Sequence, residues 1–541
     1  MKLMRLFVLL AVLVSALAVL PVAAQEKAIT VAWSQEPDSL NRMYTTMTFA
    51  EYTRQLHQIG AWGFDADLNP YPMIAAEIPS LENGGLSADG LTITIKLNPA
   101  AVWSDGTPIT ADDFVFTYEM ITAESNTPLS RYPYDEFVTS VEAADAQTVV
   151  VNFNAPLASW LATLFTYILP KHVLQPVFES DGTLDTADYN RAPSVSSGPY
   201  IFEEWEVGSF MRFSKNENYW LGVPNIETVI VTFIPDSVSY VLAAASEQAD
   251  IATFFDYPDI AQIEESGANK VIILPSGYNE AWFFNVNPET AHPAMLELNV
   301  RKALAMGFDR FTFTQDVLLG RTYPAASYWE NTPYASPNVS APPYDPAMAA
   351  QLLDEAGWVD SDGDGIRDKD GVALSLRYIT NQRAIRGEVQ VVAQQQLAEI
   401  GIEVVLENYP SDIYFNGYAD GGPMATGQYD IAQFSQNPAF PDPDTNVFKC
   451  SDIPTPDKPT GRNWAGYCNP ALDELLTAQA TELDTAKRIA LFHQIDELFS
   501  QDVVWVSIWH DPDLWSFNQR IQNIALNSVT PFWNIEKWDV Q

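Results

Sequence analysis

The longest apolar run of this chain stands at its start, and it decides in which compartment everything after it has to fold. Lys2 and Arg5 precede residues 6–20, which are apolar apart from Ser15. Pro21-Val22-Ala23-Ala24 follows, with compact residues at the −3 and −1 positions before Gln25. A positive start, an apolar run of about 15 residues and a small-residue exit make a secretory signal, and such a run is short for a bilayer span. Cleavage after Ala24 is therefore expected, with an uncleaved anchor as the alternative. No Cys follows the run, so the residue that lipid attachment uses is missing there. The remaining chain of about 517 residues is expected to work in the periplasm or outside the cell, and its length suits two to four domains.

Composition narrows the class further. The chain is 47% apolar and 12% aromatic, which is globular rather than disordered. Its net charge of −42 repels phosphate backbones and anionic headgroups, so nucleic acid is excluded as a partner. Cys450 and Cys468 are the only cysteines. In an oxidising compartment an isolated pair most simply forms one disulfide, stabilising its loop by about 3 kcal/mol on the chain-entropy account. The five histidines are scattered and never take metal-ligand spacing, which argues against a transition-metal centre or a required cofactor.

Strand and helix signals alternate without a short repeat. Residues 29–33 read as a strand, as do 91–97 by alternation and the three valines at 149–151. Thr110 followed by Asp113 reads as a capping box opening a helix. Leu296, Val300 and Leu304 recur every four residues, predicting one apolar helical face. Asp345-Pro346 predicts a helix start with its end at Gly357, and Asn469-Pro470 predicts another start. A helix closing at Gly401 and a strand over 402–406 give the helix-then-strand order of α/β domains. Residues 333–346 and 438–459 read as long loops.

Five blocks, in order, resemble one family. They are "LTITIKLNPAAVWSDGTPITADDFVFTYEMI" (91–121), "ILPKHVL" (168–174), "SSGPYIFEEWEVGSFMRFSKNENYWLGVPNIE" (196–227), "FFNVNPETAHPAMLELNVRKALAMGFDR" (283–310) and "GYCNPALDELL" (466–476). The chain resembles the extracellular solute-binding proteins of ABC importers, in the class that handles oligopeptides, dipeptides, nickel chelates and some oligosaccharides. The resemblance implies an α/β fold of the type II periplasmic-binding-protein kind: two lobes with a hinge plus an extra inserted α/β domain. On that template lobe one comprises 26–45, 195–272 and 510–541, the inserted domain 46–194, and lobe two 273–509. It implies a monomeric, non-enzymatic binder that closes over an oligopeptide or similar solute and hands it to a membrane permease. An oligosaccharide-binding member of the same family, a chemosensory partner and a secreted carbohydrate hydrolase are the alternatives. The sequence carries no Gly-x-Ser-x-Gly elbow and no His-Glu-x-x-His helix.

The same template implies a cleft lined by Glu36, Ser39 and Tyr44 after the first strand, by Trp282 and Asn285, and by Phe434, Gln436, Asn437 and Phe440. In peptide-binding members an acid in this last segment holds the ligand's amino terminus. Here Ala439 takes that position, with Asp442 and Asp444 as nearby substitutes. Arg383 is a candidate fork for a ligand carboxylate. Trp103-Ser104-Asp105-Gly106 reads as a structural turn, and Arg301 as one half of an ion pair. Separately, Asp360, Asp362, Asp364 and Asp368 stand at positions 1, 3, 5 and 9 of a calcium-type loop, with Gly365 at 6 and the Ile366 carbonyl at 7. Gly371 stands where a bidentate Glu is usual, so the loop is incomplete unless Asp370 or backbone helps. Structural Ca²⁺ is the expectation carried by this spacing.

Overall fold

A computed structural model describes residues 27–541 except residues 46, 275, 437–441 and 444 and the side chains of residues 412 and 446. The signal segment, Asn437, Ala439, Phe440 and Asp444 therefore lie outside the described residues. Two sheets dominate. The first has seven strands in the order Asn269–Leu274, Asp513–Asn518, Ile251–Thr253, Ala28–Trp33, Thr228–Phe233, Phe210–Lys215, Tyr200–Glu206. Ala28–Trp33 runs parallel to both neighbours, Val31 pairing with Ile251 and with Val231. A strand covered on both faces must be apolar on both, and Ile29, Val31, Ala32 and Trp33 are all buried.

The second sheet has five strands in the order Glu403–Tyr409, Ser375–Asn381, Ile431–Gln436, Asn279–Phe284, Trp505–His510. Every residue of Asn279–Phe284 and of Trp505–His510 is buried. The chain passes from the first sheet to the second through residues 276–278 and returns through 511–512. The two crossings lie side by side: Asp511 N donates to Tyr278 O at 2.9 Å, and Ser276 Oγ donates to Asp511 O at 2.8 Å. Two adjacent extended crossings between separate lobes form a hinge.

Between Ala28–Trp33 and Tyr200–Glu206 the chain builds a third unit. Thr92–Lys96, Thr148–Phe153 and Val138–Asp145 form an antiparallel sheet in that order, with the Ala111–Thr122 helix packed on it. Thr110 and Asp113 form the expected reciprocal cap. Trp103, fully buried, packs behind a tight hairpin in which Gly106 adopts φ +86°. This inserted unit reaches the second lobe, Ala158 N donating to Ala480 O at 2.9 Å, so the arrangement is a closed one.

Most helix starts fall where the sequence places them. Asp345 accepts from Met348 N ahead of Pro346–Glu355, and Asn469 accepts from Ala471 and Leu472 ahead of Pro470–Thr481. The predicted 296–304 face begins late. Leu296 ends a 3₁₀ turn and is exposed, while the helix itself is Leu298–Gly307 with Val300 and Leu304 in the core. Arg301 forms no ion pair among the described residues. Its guanidinium donates to Met295 O and, twice, to Asp502 O at the end of the Thr485–Asp502 helix, which is a cation at a helix C-terminus. Cys450 and Cys468 form a disulfide.

Candidate functional site

Ligands of open α/β lobes sit where strands end, and several strand ends converge at the hinge. Ile251–Thr253 leads into Phe254 and Asp256, the crossings supply Tyr278 and Asp511, and Asp513 opens the last strand of the first sheet. From the facing lobe, Ser375–Asn381 leads into Arg383, and Ile431–Gln436 presents Ser435.

Arg383 is the electrostatic centre. It donates to Asp256 at 2.8 Å across the lobes, approaches Asp511 at 3.5 Å and lies 3.8 Å from Glu280. Burial pulls its pKa down, but the three carboxylates outweigh burial and hold it above the usual value. Glu280 has no solvent exposure and meets Arg386 through two bonds of 2.8 Å each. Gln433 donates to the same carboxylate at 2.8 Å, and Trp282 donates to Tyr378 Oη at 2.7 Å alongside. Such a pair is strong only because each polar atom is matched. Asp513 is different. It is 5% exposed, and its Oδ2 has no hydrogen-bond partner. Burial, and after it the charge of Asp511, push its carboxyl well above the usual carboxylate range.

The residues named from sequence are placed unevenly. Phe434 stacks on Phe283 at 4.4 Å, and half-buried Gln436 pairs in register with Asn279 beside the hinge. Arg383 reaches the hinge too, but already held by carboxylates, so it is not the free fork expected for a ligand carboxylate. Trp282 is sealed inside its lobe, and Asn285 is consumed by the Gly427 and Tyr429 carbonyls. Glu36 accepts from Trp205 Nε1 and Gly208 N, tying down a hairpin. Ser39 donates to Asn190 O, and Tyr44 packs on the inserted unit's core, where burial, and after it Asp185, raise its pKa. The structure corrects the expectation for Asp442: its two oxygens are taken by the Arg488 guanidinium, itself laid near Tyr334 and Phe492. An acid closed into a bidentate pair is not available to an amine.

In the acidic loop, carboxylate oxygens of Asp360, Asp362 and Asp364 lie within 4.8 Å of one another. Asp368 departs from the expected set: its carboxylate accepts from Ser361 N and Oγ. Ile366 N donates to Asp364 Oδ1 at 2.8 Å.

Sequence reasoning missed Phe254, Asp256, Tyr278, Asp511 and Asp513. A signal existed: Asp511-Pro512-Asp513 interrupts two aromatic-rich apolar runs, as a strand break at a lobe crossing must.

Residues 69–451 match the bacterial extracellular solute-binding proteins, family 5 Middle. The chain belongs to this family. The oligopeptide-binding protein AppA of Bacillus subtilis is 27% identical over 529 residues, covering 93% of this chain and 90% of AppA. Protein XP55 of Streptomyces lividans is 26% identical over 498 residues, covering 91% and 85%. Among solved structures, AppA of Bacillus subtilis in complex with a nonapeptide superposes with TM-score 0.83 at 25% identity, covering 96% of this chain and 99% of AppA. NikZ of Campylobacter jejuni in complex with Ni(L-His) gives TM-score 0.83 at 21% identity, covering 95% and 99%, and is similar in fold. Family 5 proteins are extracellular solute binders, and the fold is the type II periplasmic-binding-protein fold that the resemblance implied. No helix among the described residues is long and apolar enough to cross a membrane.

Proposed function

We propose that this chain captures a peptide between its two lobes outside the cytoplasm and delivers it unchanged to the permease of an ABC importer, acting as a monomer after removal of residues 1–24. The observation that carries the reading is the pair of adjacent crossings at 276–278 and 511–512, bridged from lobe to lobe by Arg383 and Asp256 at 2.8 Å. A hinge bridged between its lobes couples ligand binding to shape: the ligand shifts the population by its extra contacts in the closed form. The peptide is the preferred solute because AppA, alike over nearly its whole length, is an oligopeptide-binding protein.

The lobes are assigned as 26–45, 195–272 and 510–541 for the first, 46–194 for the inserted domain and 273–509 for the second. The pairing of Trp505–His510 with Asn279–Phe284 supports a last boundary near the crossing at 511–512. A structural Ca²⁺ held by Asp360, Asp362 and Asp364 belongs to the same proposal.

The test is titration of the 15 tryptophans' fluorescence with peptide and oligosaccharide libraries, with mass spectrometry of the bound solute before and after. Saturable binding of intact peptides supports the reading. Binding of sugars alone, or recovery of cleaved solute, overturns it.

A further inference from the structure

The hinge carries more acid than it can pair. Arg383 and Arg386 face three carboxyl groups, those of Asp256, Glu280 and Asp511, and Asp513 lies beside Asp511. Glu280 is matched by Arg386, and Asp256 and Asp511 share Arg383. Among the described residues Asp513 forms no ion pair, and its buried Oδ2 accepts no hydrogen bond.

One aromatic ring, that of Tyr52, stands beside that orphan, and two more adjoin it. Asp513 and Trp515 share a face of their strand, since side chains two apart point the same way. Trp515 packs on Tyr52 at 5.4 Å, so Asp513 points toward Tyr52 as well. The charge of Asp513, next after burial itself, raises the Tyr52 hydroxyl. Phe254 lies 6.5 Å from Tyr52, nearly parallel to it, and 6.5 Å from Tyr278, edge-on. Phe254 is held at φ +61°, a conformation that strains a bulky residue. It is 37% exposed, unlike the rings it touches. Aromatic faces around a carboxylate are the chemistry that recognises organic cations: the ring quadrupoles attract the charge while the acid neutralises it.

We propose that this hinge cage is a subsite for an organic cation of the ligand, an alkylammonium that pairs with Asp513 between the rings of Tyr52, Phe254 and Tyr278. It rests on the reading of the cleft as a peptide site, and it relocates amine recognition from the segment after Ile431–Gln436 to the hinge floor. Ala439 stands at the position expected for the usual acid, and Asp442 is closed by Arg488. A cation arriving at the crossing also joins both lobes, so recognition and closure use one contact. The charged and titratable groups facing it are Asp511, Arg383 and Asp256 from the hinge and lobe faces, with Tyr52 and Tyr278 from the cage.

The experiment uses a random nonapeptide library lacking arginine, native and after acetylation of its amines, offered to the full chain and to Asp513→Asn and Phe254→Gly. Asparagine keeps the shape of the acid and removes its charge, and glycine takes the φ of residue 254 without strain. The expected result is at least tenfold tighter retention of the native library than of the acetylated one. That preference, read as a ratio within each protein, falls below twofold in both variants. Lysine enrichment among retained peptides assigns the ammonium to a side chain; its absence assigns it to the amino terminus. Equal retention of both libraries by the unmutated chain, or an undiminished preference in Asp513→Asn, overturns the cage and leaves the peptide reading standing. An unmutated chain that retains neither library overturns the peptide reading and the cage with it.

Discussion

Lowering the pH should destabilise this protein through one residue, His57. It ends the Thr48–His57 helix, is 1% exposed, stacks on Phe213 at 6.0 Å and offers neither ring nitrogen a hydrogen-bond partner. Burial, and after it the positive charge of Arg54, push its pKa down to about 3. In the unfolded chain the ring titrates near 6.5, so between those values the unfolded state binds a proton that the folded state refuses. Stability from this group is whole above pH 6.5 and is lost as pH falls toward 3. From pH 7 to pH 5 the unfolded state gains about 25-fold in relative weight, or about 1.9 kcal/mol. That figure hardly depends on the folded pKa: placing it one unit higher changes the result by less than about 0.1 kcal/mol. Asp496, pushed up to about 6 by burial, titrates in the same window with the opposite sign, so the comparison must be with a variant rather than with the bare pH profile. In His57→Leu, the urea-unfolding free energy should fall between pH 7 and pH 5 by about 2 kcal/mol less than in the unmutated chain. Nitrogen-edited NMR of labelled histidine should show one ring, absent from the variant, that stays neutral down to pH 4. Parallel pH profiles for the two proteins, or a His57 ring titrating near 6.5, would refute the reasoning.

Three further outcomes are expected. Gly198→Ala places a Cβ 2.6 Å from Leu56 O and 2.9 Å from His57 carbon; backbone cannot yield cheaply, so thermal unfolding should show a loss of ~1–3 kcal/mol. Arg386→Met strands the fully buried Glu280 and should cost ~3–5 kcal/mol in urea unfolding, whereas adding Glu280→Leu should recover much of it, since removing both charges removes the desolvation penalty. Adding calcium should raise the melting temperature of the unmutated protein and leave Asp362→Ala unmoved; no rise in the unmutated protein ends the calcium proposal.

Local features were readable because local chemistry decides them. The Thr110–Asp113 cap, the Asp345-Pro346 and Asn469-Pro470 helix starts, and the alternation over 92–96 depend on residues within a turn or a strand of one another. The family was readable because its blocks keep their order along the chain. Even the glycine of the "SSGPY" block has a local sequence signature, though its reason, the close pass of Leu56 and His57, is tertiary.

The site was less legible. Glu36, Trp282, Asn285 and Asp442 are residue types that bind ligands elsewhere, and no local signal tells whether such a group is already engaged. Arg488 lies 46 positions from the acid it closes, and Tyr378 lies 96 from the indole it accepts from. Conversely, Asp513 gains its character chiefly from burial, which only the tertiary structure supplies. The sequence by itself determined most of the secondary elements and the family. Only the tertiary structure decided which polar groups remain unpaired at the hinge, because pairing is settled by distance in space between residues that spacing along the chain does not relate.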